Sequence, residues 1–256
     1  MKNRQYATCR LILTAIALAS FCLSANAQTT GGDNKEIVFT PYLWGTSLNG
    51  TSGFGVLPPL DIDASFSDIF ANLNFAASLH TEFRNGPWVL TIDPMYVSIE
   101  AEVTPEGITL PGGSGPKLGV DMWFVEAWGG YRFNDHWEFI TGARWQSQDL
   151  SISGLPSPPL PIDSLDISDD WTDFFGGFRF SNDINEKWFV SVRADIVFAG
   201  DSDDSINASV MFNRRFGPKM SLNMGYRYFE DNYDNLPTYA WDMTQEGPVV
   251  GYTWVF

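Results

Sequence analysis

The chain has 256 residues, 44% of them hydrophobic and 15% aromatic, with ten tryptophans and a formal net charge of −16. So acidic a balance excludes nucleic acid as a partner, because phosphate binding needs a basic surface. Its cysteines, Cys9 and Cys22, both fall within the first 27 residues, so the rest has no disulfide, no thiol nucleophile and no cysteine metal site.

Residues 1–27 read as an export signal. Lys2, Arg4 and Arg10 form a positive leader, Leu11 to Leu23 is apolar, and Ala25-Asn26-Ala27 gives the small-x-small cleavage pattern. A helix that spans a bilayer needs about 20 apolar residues, so this run is a removable signal rather than an anchor. Phe21 stands before Cys22 where a lipoprotein site wants a small residue. Removing the signal leaves twelve basic residues against 31 acidic ones, a net −19. Residues 28–35 then form a short periplasmic segment, and 36–256 a single domain. No later apolar run is long enough for a transmembrane helix. The aromatic load therefore needs either a large core or a lipid-facing surface.

From residue 36 onward the polarity alternates with period two. In chain order the strand-like segments are 36–45, 75–84, 88–103, 120–133, 137–148, 171–181, 187–200, 206–216, 220–229 and a last one ending at Phe256. Each is close to the 9–11 residues, roughly, with which a tilted strand crosses a bilayer. Short turns at 85–87, 134–136, 182–186 and 217–219 alternate with longer Gly-, Pro-, Ser- and Asp-rich stretches at about 50–74, 104–119, 149–170, 201–205 and 230–242. This spacing predicts an all-β fold: a closed antiparallel transmembrane β-barrel of ten strands, with short periplasmic turns and long extracellular loops. Within the first long stretch, Ser67 to Leu73 reads as a short helix capped by Ser67. Asp93-Pro94 predicts a bulge, since proline lacks the amide that a ladder uses.

Parity assigns the faces. Trp88, Trp137 and Trp188 each open a strand after a short turn and form a lipid-facing aromatic girdle at the periplasmic side. Counting from Trp188, Val190, Val192, Ala194, Ile196 and Phe198 point outward, while Ser191, Arg193 and Asp195 point inward. The same count turns Arg84, Arg132, Arg144, Arg179, Arg193, Arg215 and Arg227 into the lumen, with Glu82, Asp93, Glu126, Glu138, Asp173 and Asp195 available as partners. Arg214, at a strand end, is left to snorkel to the interface. Arginine on the lipid face costs roughly 2–4 kcal/mol at the midplane, so this partition is a strong constraint.

On these segments the chain resembles the Gram-negative outer-membrane β-barrel proteins. Its ending, Gly251, Trp254 and Phe256, is similar to the C-terminal signal by which the barrel-assembly machinery recognises such chains, although Val249 stands where a polar residue is expected. The stretches at 39–51 and 66–96 are similar to a widespread set of small proteins of this class. The resemblance implies outer-membrane lipid and the assembly machinery as partners and a place in the bacterial outer membrane after export through the periplasm.

Chemistry is sparse. Ser78, His80 and Glu82 share one face and are the residue types of acyl transfer, but neighbours two apart on a strand lie about 6.5–7 Å apart at the backbone, so His80 reads as a member of the lumen charge network. His136 reads as a solvated turn residue. With two histidines and no cysteine there is no transition-metal site, and no nucleotide or phosphate-loop motif or protease signature appears, so no cofactor and no enzymatic activity are expected. The acidic runs 166–170, 201–204 and 230–234 could hold divalent cations or simply be hydrated. Three functions remain open: a narrow pore for small solutes with an Arg/Asp/Glu lumen, a structural or surface-interaction barrel, and, least supported, an outer-membrane hydrolase.

Overall fold

The structure is a computed structural model that describes residues 35–54, 59–102, 117–153 and 164–256. The export signal, residues 28–34 and parts of three of the long stretches lie outside the described residues.

Twelve strands form one antiparallel sheet that closes on itself. They are β1 (Lys35–Trp44), β2 (Ser47–Phe54), β3 (Leu60–Ala64), β4 (Leu73–Asn85), β5 (Trp88–Glu102), β6 (Lys117–Arg132), β7 (Trp137–Ser153), β8 (Ser164–Asp183), β9 (Trp188–Gly200), β10 (Asp204–Arg215), β11 (Met220–Asn235) and β12 (Tyr239–Val255). The first two strands are one wall strand in two pieces. β1 pairs with the second half of β12 through Val38↔Val255 to Trp44↔Val249, and β2 with the first half through Ser47↔Glu246 to Phe54↔Tyr239. On their other side β4 pairs with β1 and β3 with β2, so β3 and β4 form the next wall strand. With β5 to β12 the wall has ten strands, the number that the spacing predicts.

The two interruptions are linked. Between β1 and β2 lies Gly45, where an added Cβ would come within 2.8 Å of the Phe66 ring. Phe66 opens α1 (Phe66–Ala71), the short helix that separates β3 from β4. The sequence expects a helix here but sets it at 67–73 and misplaces its cap. Ser65, not Ser67, is the N-cap: its hydroxyl accepts from the Asp68 N–H at 3.3 Å, and its own N–H donates to Asp68 Oδ2 at 3.1 Å, a reciprocal capping box.

Three other expectations are corrected. The strands β4 to β12 run from 12 to 20 residues rather than 9–11. The stretches at 201–205 and 230–242 are not long loops: β9 and β10 are joined by residues 201–203, and β11 and β12 by 236–238. At Asp93-Pro94 there is no bulge. The β4–β5 register is the same on either side, Ser78↔Met95 and Thr81↔Ile92, and β5 pairs with β6 straight through Asp93↔Glu126 and Pro94↔Val125. Proline simply omits its bond on one side, and the register shifts lie elsewhere, at Leu73/Phe75 and Phe174/Phe175.

Alternation sorts the side chains. On β6 the buried residues are Met122, Phe124, Glu126, Trp128 and Gly130, every second one. Opposite Trp128 on β7 sits Gly142, where a Cβ would lie 2.5 Å from that of Trp128, so only glycine lets the indole fill the interior at this level. The outer face is apolar by contrast. Phe39, Leu43, Phe75, Phe139, Phe178, Ile196, Phe198, Phe212 and Val250 are all exposed there.

Candidate functional site

The barrel interior divides into three tiers along its axis. The turn end carries the turns at 86–87, 133–136, 184–187 and 216–219 together with Lys35 and Phe256; the loop end is opposite.

The tier nearest the turn end centres on Glu82, 1% exposed. Arg84 reaches it at 2.6 Å, Arg179 at 2.6 Å and His80 Nε2 at 3.0 Å. Arg179 also bonds Glu138 at 3.2 Å, which Arg132 approaches at 3.6 Å. His80 Nδ1 lies 2.8 Å from Asp93, and Tyr42 Oη donates to the same carboxylate at 2.8 Å. Ser78 turns away from this group and donates to the Tyr42 carbonyl. Ser78, His80 and Glu82 therefore form no line from nucleophile to base to acid. Arg215 stands apart and pairs with Asp183 in the rim at 2.6 Å, its guanidinium 4.4 Å from the Phe189 ring centre.

The middle tier is deeply buried. Arg144 and Glu126 are both fully buried; Arg144 donates to Glu126 at 2.8 Å and to Asp195 at 2.7 Å. Arg193 donates to the same two carboxylates at 2.9 and 2.6 Å, and Asn207 adds a bond to Asp195 at 3.1 Å. Arg227 approaches Glu126 at 3.6 Å and donates to Asn207 at 3.1 Å. Aromatic faces close the remaining space: the Arg144 guanidinium lies 4.9 Å from Phe175 and 4.8 Å from Phe229, that of Arg193 4.4 Å from Trp128, and that of Arg227 4.7 Å from Trp44. Delocalised guanidinium groups suit such stacking better than an ammonium would.

The loop-end tier is an aromatic cluster. Trp171 stacks on Tyr233 with ring centres 4.5 Å apart, and Tyr239, Trp241, Met243 and Met122 complete a buried cluster. Asp231 accepts bonds from Gln146 at 2.7 Å and from the Trp171 indole at 3.0 Å. Asp173 is fully buried but bonds no arginine among the described residues, unlike the pairing that parity suggests. Its carboxylate instead accepts from the Asp201 and Ser202 amides at 3.0 and 2.9 Å and from the Ser202 hydroxyl at 2.7 Å, which holds the β9–β10 turn.

Between the turn end and the middle tier lies a cavity of about 540 Å³. Its lining runs from turn residues 134–136 and 217–218 inward to Arg193, Asn207, Arg227 and Trp128, and it includes Arg84, Arg132, Arg179, Glu82, Glu138 and His80.

Outside the lumen, Trp88 and Trp137 are exposed at the turn end, each against an aromatic partner at 4.9 Å, Tyr131 and Phe180 respectively. Trp188 is half-buried there, with Arg214 5.9 Å from its ring centre. In β12, Gly251 is buried and Trp254 partly so, while Phe256 is exposed at 69% and exchanges backbone bonds with Ile37 at 2.9 and 3.3 Å. His136 is exposed and sits on the Ser181 carbonyl. The acidic runs 166–170 and 230–234 belong to β8 and β11. Among the described residues no cluster of three or more His, Cys, Asp or Glu is arranged to hold a metal ion. Nor is any helix among them long and apolar enough to cross a membrane, which leaves strand crossing open.

Parity gives no distances, so the sequence reading misses Tyr42, Asn207 and Asp231 as network members. The stacking of Arg144 between phenylalanines is equally invisible from spacing.

No known family model matches the chain, and no curated protein matches it in sequence. Among solved structures it is similar to Ail, the attachment invasion locus protein of Yersinia pestis, at 10% identity over 87% of this chain and 98% of that one, with a TM-score of 0.38. Neisserial surface protein A matches at 10% identity over 86% and 96% of the two chains (TM-score 0.33). The outer-membrane protease OmpT of Escherichia coli matches at 9% identity over 90% and 99% (TM-score 0.38). The barrel assignment for this chain rests on its own strand register.

Proposed function

We propose that this chain is an integral barrel of a bacterial outer membrane, turn end toward the periplasm, and that it works as a sealed structural or surface-interaction barrel rather than an open pore. The observation that carries this reading is the middle cross-section, where fully buried Arg144 is held by Glu126 and Asp195 and faced by Phe175 and Phe229, both also fully buried. A solute crossing the lumen would have to part buried ion pairs, and breaking one such pair costs about 3–5 kcal/mol. The loop-end cluster around Trp171 and Tyr239 would have to part as well.

The membrane setting is supported by the outer face. Monomeric soluble proteins rarely expose a contiguous apolar patch beyond about 300–600 Å², whereas exposed Phe, Leu, Ile, Val and Trp side chains recur here from β1 to β12. Closure of β1 onto β12 supports it too, because an open edge in lipid would leave backbone groups without partners. Strands of up to 20 residues exceed what the hydrocarbon needs, so the wall projects at the loop end. There Asp169, Asp170, Asp203 and Asp234 are partly or fully exposed, an acidic rim suited to cations or a basic external ligand.

Purified protein in a planar bilayer tests the reading. The expected record is silent at high salt under applied voltage; stepwise single-channel currents from folded protein would return the pore reading to first place.

A further inference from the structure

The cavity at the turn end has an uneven floor. Arg193, Arg227, Asn207 and Trp128 line it, whereas Glu126, Asp195 and Arg144 do not. The carboxylates that neutralise the middle tier thus sit behind the guanidinium groups, and a solute entering from the turn end meets the cationic side. The balance is also incomplete: three guanidinium groups, on Arg144, Arg193 and Arg227, share two carboxylates, Glu126 and Asp195.

Arg227 is the residue left short. It is 7% exposed, its closest carboxylate oxygen is 3.6 Å away, and its Nη2 has no hydrogen-bond partner among the described residues. The Trp128 indole N–H, in a residue 2% exposed, has none either. Buried polar groups nearly always find a partner, and leaving a charged donor unmade is expensive. The walls above are balanced by comparison: Arg84 and Arg179 are paired to Glu82, Arg179 and Arg132 to Glu138, and Asp93 to His80 and Tyr42. Charge preference is therefore set at the floor.

The geometry points to a binding site on this floor for a small solute that carries an oxyanion, a carboxylate or a phosphate, held by Arg227 and Arg193 with the Trp128 N–H as a further donor. Guanidinium groups bind both anions through paired N–H donors, and a space of about 540 Å³ is of the size that takes small molecules. The site is independent of whether the barrel conducts, because it lies wholly on the turn side of the seal.

The test titrates the full folded chain, in detergent micelles and low-salt buffer, with inorganic phosphate and with acetate by calorimetry. At least one of the two should saturate at one per chain. Phosphate alone would indicate a phosphate-bearing solute, and acetate a carboxylate. Trp128→Phe keeps an aromatic face, though a smaller one, but removes the N–H and should weaken binding about 5-fold; Arg227→Met should weaken it at least about 10-fold. Arg214→Met, on the outer rim, should change nothing. Heat-modifiable migration checks folding, and if Arg227→Met fails that check, Trp128→Phe alone decides. Absence of saturable binding by either ion, or binding unchanged in folded Trp128→Phe, would overturn the site.

Discussion

Glu126 and Arg144 stand directly opposite each other in the β6–β7 register, and their side chains meet at 2.8 Å with neither exposed. Replacing such a pair as a whole can be neutral, but removing one partner leaves an uncompensated buried charge. Glu126→Ala would leave Asp195 alone against Arg144 and Arg193 and take away the one carboxylate near Arg227, and we expect it to destabilise the barrel by about 3–5 kcal/mol. Glu36→Ala, which loses a half-exposed contact of 3.5 Å with Arg84, should cost less than about 1 kcal/mol. Urea unfolding midpoints in micelles compare the two, and equal losses would mean that the middle tier is no keystone.

Phe229 packs edge-on against Phe124 at 5.2 Å and faces Arg144 at 4.8 Å. Phe229→Ala should cost about 3–5 kcal/mol, in the range of other buried aromatic truncations. It should nonetheless stay electrically silent, because the cluster of Trp171, Tyr233, Tyr239 and Met243 closes the loop end independently. Steady current from this variant would place the whole seal in the middle tier.

The facing of the wall was legible because it is written residue by residue. Along 190–196 apolar and polar side chains alternate without a break, and lipid outside with charge inside leaves one reading. The loop-end halves of the strands were not legible for the converse reason. In 230–234, buried Asp231 and Tyr233 alternate with Glu230, Asn232 and Asp234, so both faces carry polar groups and the period vanishes. Interior partners were only half legible: parity puts Asp173 inside but says nothing of height, and its height sets it against the amides of 201–202 rather than an arginine.

The α1 cap gives a local, pH-dependent prediction. The Ser65 hydroxyl, and then its N–H, hold the Asp68 carboxyl below its usual range. A carboxylate with a lowered folded-state pKa contributes stability above its unfolded value and loses it as pH falls through the folded one. Amide protection in α1 should therefore drop at acid pH below the ordinary carboxylate range while the wall persists. Ser65→Ala should loosen the same helix at neutral pH by about 0.5–2 kcal/mol. Hydrogen exchange reads both, and wall amides that open in step with α1 would contradict a local role.

Phe256 separates wall closure from recognition. Its backbone bonds to Ile37 survive truncation, and its exposed side chain adds little packing. Phe256→Ala should therefore refold in micelles about as well as the parent, yet accumulate less folded barrel in cells, as a chain read by the assembly machinery would. A parallel loss in both settings would make the residue structural only.

The whole account depends on which face meets lipid, and two neighbours on β10 test that most directly. Val210 is 37% exposed on the outer face opposite Val192 and Tyr226, while Met211 lines the cavity opposite Ser191 and Gly225. Val210→Arg should lose about 2–4 kcal/mol of folding free energy in lipid bilayers and assemble poorly, whereas Met211→Arg should fold much more nearly as the parent does. Folded yield by heat-modifiable migration after insertion into lipid vesicles measures both. Equal tolerance of the two arginines, or preference for the one at 210, would contradict the barrel's orientation of inside and outside.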